Sequence, residues 1–167
     1  DALVEAGDPA RWLVPDADNG GDQLGKTWTN VGFDDSTWSL GTNNIGFEKA
    51  TGYEPFIGTD LIDSMANSAT AYVRAPFQLD SPDAVYSLTL SMKYDDGYVA
   101  YLNGVEVSRK NAPDDVDWNS DAARTRQDAL AKVFEDVDLT EHLGVLQNGE
   151  NILAVHALNA NVSSNDF

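Results

Sequence analysis

The stretch Tyr94–Arg109, YDDGYVAYLNGVEVSR, decides the fold. It holds two turn signals and the strands they join. Asp95-Asp96-Gly97 and Asn103-Gly104 carry the residue types that tolerate the left-handed backbone of tight hairpins. Ahead of the first signal, Tyr86, Leu88, Leu90, Met92 and Tyr94 alternate with Val85, Ser87, Thr89, Ser91 and Lys93. Between the signals Val99, Tyr101 and Asn103 interleave with Tyr98, Ala100 and Leu102, and Val105 and Val107 follow. A period of two, punctuated by turn residues, predicts an antiparallel meander. The same stretch carries a candidate metal site. The adjacent carboxylates of Asp95 and Asp96 can offer oxygens to a hard cation, calcium above all, or can serve only as turn formers and solubilisers.

Outward from this centre, composition sets the bounds. A chain of 167 residues fits one domain with its own core. It lacks an initiating Met, a basic-then-apolar leader and any apolar run long enough to span a bilayer, so it reads as a single module, 1–167, excised from a larger protein. Cysteine is absent, which removes disulfides and thiolate metal sites. Ten Lys plus Arg stand against 28 Asp plus Glu, a net charge of −18. Such a surface repels phosphate backbones and anionic lipid, so nucleic acid and membrane surfaces are poor partners, and neither nucleic-acid binding nor membrane insertion is expected. The acid excess fits loop chemistry and cation binding, and also adaptation to salty water. Apolar residues make up 42% and include four Trp and six Tyr, enough to build a core rather than a disordered chain.

Along the chain, Ala10–Pro15 is a short first strand with Trp12 in the core, and 16–26 is a loop. Trp28 and Val31 mark a brief extended piece. Phe33–Trp38 is a compact turn capped by Asp34 or Asp35. Residues 48–70 show no period and form a surface excursion, with one helical turn near Leu61–Met65. Ala71–Leu79 alternates as a strand, and Pro76 argues that it lies at a sheet edge. After the meander, 110–130 is a second polar excursion ending in a short helix over Ala122–Ala131. Val133–Val137 is a strand, Asp138 or Thr140 caps a second short helix to about Leu146, and Ile152–Asn159 is a strand apolar on both faces apart from His156. Many short strands, two short helices and long loops predict an all-β antiparallel sandwich or jelly roll.

The segments FDDSTW, YVRAPFQL, YDDGYVAYLNGVEVSR and VFEDVDLTEHLGVLQNGENILAVHALN, in that order, resemble the galactose-binding-domain-like jelly roll of accessory modules in large secreted bacterial proteins. The chain is similar to the sugar-binding domain at the front of family 2 glycoside hydrolases, where LNG-x-x-V and L-x-x-G-x-N-x-L-A-V recur. The resemblance implies a secreted bacterial module whose matching residues are structural: Asn103-Gly104 makes a turn and Asn151 closes one. Adjacent Asp pairs in calcium-dependent adhesin and flocculin lectins are similar to Asp95-Asp96 and would put calcium there.

Catalysis finds no support in the residues. No Cys or G-x-S-x-G motif exists, and His142 and His156 lie on separate elements, with His156 in the most apolar strand. Zinc lacks a His or Cys cluster. The 28 acids could supply the paired carboxylates of a glycosidase, but no signature surrounds any pair. Sugar binding needs an aromatic face and a few planar donors. Trp118, alone in a polar loop, is the aromatic candidate, with Arg109 and Asn111 as donors and Tyr53 in the other long loop. Trp118 can equally plug its loop onto the sandwich. The expected function is therefore a non-catalytic carbohydrate-binding module, with polysaccharide and the parent's other domains as partners. The alternatives are a structural or interdomain module and a calcium-dependent protein adhesion domain. An exposed aromatic beside polar residues favours sugar; a broad apolar patch favours a protein partner.

Overall fold

Ten strands run in the order β1 (Pro9–Leu13), β2 (Ser39–Thr42), β3 (Ile45–Gly46), β4 (Thr59–Asp60), β5 (Thr70–Leu79), β6 (Thr89–Met92), β7 (Gly97–Leu102), β8 (Val105–Lys110), β9 (Glu135–Asp138) and β10 (Gly149–Leu158) in the computed structural model, which describes residues 2–167. Six of them form one antiparallel sheet, ordered β2-β1-β5-β10-β7-β8. A second layer holds the antiparallel pair β6-β9, and β3-β4 is a short parallel pair. This is the expected all-β sandwich. Helix is confined to one four-residue α-helix, Asp128–Ala131, and to 3-10 turns, of which Thr140–Val145 is the longest. No helix among the described residues is long and apolar enough to cross a membrane.

β5 and β10 pair along their whole length, from Gly149↔Leu79 to Leu158↔Thr70, because both are apolar on alternate faces and can be covered from either side. On one face of the sheet Trp28, Trp38, Tyr72, Val99, Tyr101, Ile152 and Ala154 form a core under the irregular loop 14–38. Trp28 stacks on Tyr72 with ring centroids 4.1 Å apart. Arg74, 2% exposed, fixes that loop: its Nε meets Asp35 Oδ2 at 2.6 Å, and its guanidinium donates to the carbonyls of Trp28, Asn30 and Phe33. Arg11 adds a second contact to Asp35 at 3.3 Å. On the other face Phe77, Tyr98, Ala100, Leu102 and Val107 pack against Leu90, Leu139 and Leu146 of the second layer.

The Asn103-Gly104 hairpin is as expected, with φ of 50° and 89° and Leu102 opposite Val105. These are the two positive φ values that a two-residue loop of this twist requires. The meander is not. β6 does not pair with β7; Lys93–Asp96 instead carries the chain from the second layer into the main sheet. Gly97 is needed there for close approach, since a Cβ on it would lie 2.7 Å from the Asn111 carbonyl oxygen. Alternation specifies that a strand has an inner face, and says nothing of which sheet it joins.

Pro76 corrects a second expectation. β5 lies inside the sheet, but its ladder with β1 stops at Arg11↔Arg74, so no β1 residue pairs with Pro76 and the missing donor is harmless. Trp28 sits in a 3-10 turn rather than an extended piece, and Trp12 is only half-buried. The helix over Ala122–Ala131 is reduced to its last four residues, and the strand at Val133–Val137 shifts to Glu135–Asp138.

Candidate functional site

Asp95 and Asp96 stand at the crossing between the layers and point to different partners. Asp96 is 4% exposed, at φ 59°, and its two oxygens accept the backbone N–H groups of Arg126 and Ala160, each at 2.6 Å. It clamps two loops to the sheet corner. Burial still raises its carboxyl above the usual range, partly offset by those two donors. Asp95 Oδ1 accepts from the Tyr53 hydroxyl at 3.3 Å, and its Oδ2 is buried without a partner. Burial first, then the charges of Asp96 and Asp166, push the Asp95 carboxyl up to about 7. Calcium asks for six to eight oxygens. Here one carboxylate oxygen is free of the pair's four, and among the described residues no group of three or more His, Cys, Asp or Glu could hold a metal. The donor set does not fit the ion.

The proposed sugar contacts are also occupied. Arg109 donates to both Glu106 oxygens, at 2.8 and 3.0 Å, and to the carbonyls of Pro113 and Asp114, which pins the 111–118 loop. Asn111, at φ 50°, donates to the carbonyls of Asp96 and Arg124 and accepts from Arg124 Nε at 3.1 Å. Trp118 is half-buried, packed against the Trp28–Tyr72–Tyr101 core. Tyr53 is buried on the other side of the sheet with its hydroxyl on Asp95. The structure brings Arg109, at the end of β8, together with Asn111 and Trp118 of the loop that follows, and places Tyr53 apart from them. His156, 3% exposed, is a core residue: burial drops its pKa to about 3, and it meets Tyr72 edge-on at 4.9 Å.

The open feature of the molecule lies elsewhere. Between the main sheet and β6 runs a trough of about 1220 Å³, walled by Val73, Ala75, Phe77, Leu153, Val155 and Ala157 on one side and by Leu88, Leu90 and Met92 on the other. It arises because the β6-β9 pair packs mainly over β7 and β8, while the β1-β5-β10 part is covered by Leu3, Val4 and Ile45 and, at its Ala71–Ala157 end, by the Phe47–Leu61–Met65–Phe167 cluster. β10 shows the consequence. Ile152, Ala154, His156 and Leu158 are buried on one face, whereas Leu153, Val155 and Ala157 on the other are only partly covered. Apolar side chains also crowd the mouth: Tyr86 is 85% exposed and Phe134 52%, and Lys93 lies over the Phe56 and Phe134 rings at 4.2 and 4.6 Å. The sequence signal for this site was the Val85–Tyr94 alternation, which is apolar on a strand that the second layer only half covers.

No protein-family model and no curated protein matches the sequence. Solved structures do. A Bacteroides uniformis β-glucuronidase aligns with a TM-score of 0.54 at 14% identity, over 93% of this chain and 14% of its own. An uncultured Clostridium β-glucuronidase gives 0.51 at 16%, over 92% and 21%. A family 2 glycosyl hydrolase from Bacteroides cellulosilyticus gives 0.50 at 14%, over 92% and 17%. At these identities the likeness is one of fold, and the chain spans about a fifth or less of each enzyme. The protein has the all-β sandwich fold of one domain in these family 2 glycoside hydrolases.

Proposed function

We propose that the chain is a non-catalytic module of a multidomain, carbohydrate-active protein, and that it works by packing against polypeptide rather than by gripping a glycan. The trough carries this reading. Its floor of Val73, Ala75, Phe77, Leu153, Val155 and Ala157 fits apolar side chains, and the polar groups of its lining, such as Asn43, Ser87 and Lys93, stand beside that floor. Of the side chains named from the sequence for sugar, Arg109, Asn111 and Tyr53 are held by internal hydrogen bonds and Trp118 packs on the core. The likeness to single domains of glycosidases supports the carbohydrate context. His156, the histidine beside the Thr70 hydroxyl, is buried and held neutral in the core, which favours a supporting rather than a chemical role.

The test pairs two measurements on the 167-residue chain. A glycan array, read with calcium and with chelator, is expected to retain no glycan, and a dye whose fluorescence rises on apolar surfaces is expected to bind. A glycan retained by the wild type and lost in a normally stable Trp118→Ala variant would overturn the reading in favour of carbohydrate binding through that loop.

A further inference from the structure

Three asparagines in the chain precede glycine, in Asn19-Gly20, Asn103-Gly104 and Asn148-Gly149, and the fold treats them differently. Glycine matters there chemically. Without a Cβ, its backbone nitrogen can fold back onto the side-chain carbonyl of the asparagine before it. Asn19 is not free to offer that carbonyl. Its Oδ1 accepts the N–H groups of Asp16 and Gly21 at 3.1 and 2.9 Å, and its Nδ2 donates to the Val14 carbonyl at 2.9 Å. Asn103 is tied as fully: its Oδ1 accepts the Ile152 N–H at 2.8 Å, and its Nδ2 donates to the Val145 carbonyl and to Asn151 Oδ1 at 2.9 and 2.8 Å. Asn148 is exposed and held at one point, Nδ2 on the Asp80 carbonyl at 2.9 Å, with no hydrogen bond to its Oδ1 from the described residues. Gly149, at φ 88°, is the first residue of β10 and stands opposite Leu79, the last residue of β5. It therefore occupies the terminal rung of its ladder, and terminal rungs open most easily.

We propose that Asn148-Gly149 is a self-modification site, where the folded chain converts Asn148 to aspartate and isoaspartate while Asn19 and Asn103 are protected. The Gly149 nitrogen gives its proton to hydroxide and bonds to Asn148 Cγ. The Cγ–Nδ2 bond breaks, and Nδ2 leaves as ammonia after taking a proton from water. Water then opens the five-membered succinimide at one of its two carbonyls, which leaves either aspartate or isoaspartate. One water is consumed and one ammonia released, with no other reactant. The position gives the change a structural consequence. Asn151 donates to the carbonyls of Gln147 and Gly149 at 2.8 and 3.0 Å, and its Oδ1 accepts the Gln147 N–H at 3.0 Å, so it clamps the turn from both sides of Asn148. Isoaspartate adds a backbone carbon inside that clamp. Because Asn151 Oδ1 also accepts from Asn103, the longer turn loosens the 103–104 hairpin together with the start of β10.

The test ages the intact chain in mildly alkaline buffer, folded and in urea, and follows each asparagine by peptide mass spectrometry with fragmentation that separates aspartate from isoaspartate. In the folded protein Asn148 is expected to gain the mass of an amide-to-acid exchange at least about tenfold faster than Asn19 or Asn103, each of which must first lose three side-chain hydrogen bonds. In urea the three rates should converge, because their local sequence is the same Asn-Gly pair. Aged protein should also exchange its Gln147 and Ile152 amides faster than fresh protein. An Asn148→Asp variant should not, since aspartate keeps the backbone length. Reaction of Asn19 or Asn103 as fast as Asn148 in the folded state overturns the protection argument. An Asn148 no faster than those two shows that the Gly149–Leu79 rung holds the site shut, and the assignment falls. A preference for Asn148 that persists in urea assigns the reactivity to local sequence and overturns its structural basis. Equal amide exchange in aged and fresh protein overturns the coupling through Asn151.

Discussion

Asp95→Asn is expected to stabilise the protein at pH 8 and to leave it unchanged near pH 4. The carboxyl is pushed up to about 7 in the folded protein, from an ordinary value of 3.8, because it is buried at the layer crossing with Asp96 and Asp166 nearby. The folded state therefore keeps its proton over a range where the unfolded chain has lost it. A raised folded value means that the contribution to stability is fully present below the unfolded pKa and falls away as pH climbs through the folded one. The window runs from about 4 to about 7. At about 1.4 kcal/mol per unit, a shift of about three units sets a ceiling of about 4 kcal/mol. The side chain is only partly buried, so solvent screening reduces this to about 2 kcal/mol above pH 7. Asparagine copies the neutral acid, keeping an oxygen for the Tyr53 hydroxyl and carrying no charge. Urea unfolding followed by Trp fluorescence at pH 4 and pH 8 gives the difference directly, and other acids cancel between variant and wild type. A difference between variant and wild type that is the same at both pH values would refute the burial argument. A variant destabilised at pH 8 only when calcium is present would show that Asp95 is an ionised metal ligand after all.

The other expectations follow from the same contacts. Trp118→Ala should cost about 2 kcal/mol by chemical denaturation, and Trp28→Ala about 3–5 kcal/mol, since the first ring is half-buried and the second lies at the centre of the aromatic core. Arg74→Met should cost about 3–5 kcal/mol, because it leaves Asp35 and three loop carbonyls without their buried donor; a loss below about 1 kcal/mol would show that the 14–38 loop holds by apolar packing alone. Calcium and chelator at constant ionic strength should give the same melting temperature, whereas a bridging ion at about 100 times its Kd would add roughly 2.7 kcal/mol.

Local signals carried most of the fold. Asn103-Gly104 needs two positive φ values, and few residue pairs accept them, so the hairpin could be placed to the residue. β10 was legible because a strand apolar on both faces has to lie inside a sheet. Asp95–Gly97 has the same turn composition as a hairpin and yet joins two layers. The difference lies in contacts far along the chain, Asp96 with Arg126 and Ala160, which no window around the turn contains. Arg74 was hidden for a related reason. In an alternating strand its position reads as the solvent face, and only the loop folded over that face turns it into a buried anchor.

The same distinction explains why the motifs of the resemblance point to a fold and not to a ligand. Asn103 and Asn151 bind each other: Asn103 Nδ2 donates to Asn151 Oδ1 at 2.8 Å, and Asn103 Oδ1 accepts the Ile152 N–H at 2.8 Å. Asn151, fully buried, then donates to the carbonyls of Gln147 and Gly149. The L-N-G hairpin and the start of β10 are thus one hydrogen-bonded unit, assembled from two segments 48 residues apart. A buried polar network of this kind tolerates few replacements, since each lost partner strands another group away from water. It can therefore be read in sequence at low overall identity. The trough obeys no such rule. Its walls ask only for aliphatic side chains of roughly the right size, which any core strand supplies. What marks it is the partial cover over Leu153, Val155 and Ala157, a property of how β6 and β9 are placed rather than of any residue in them.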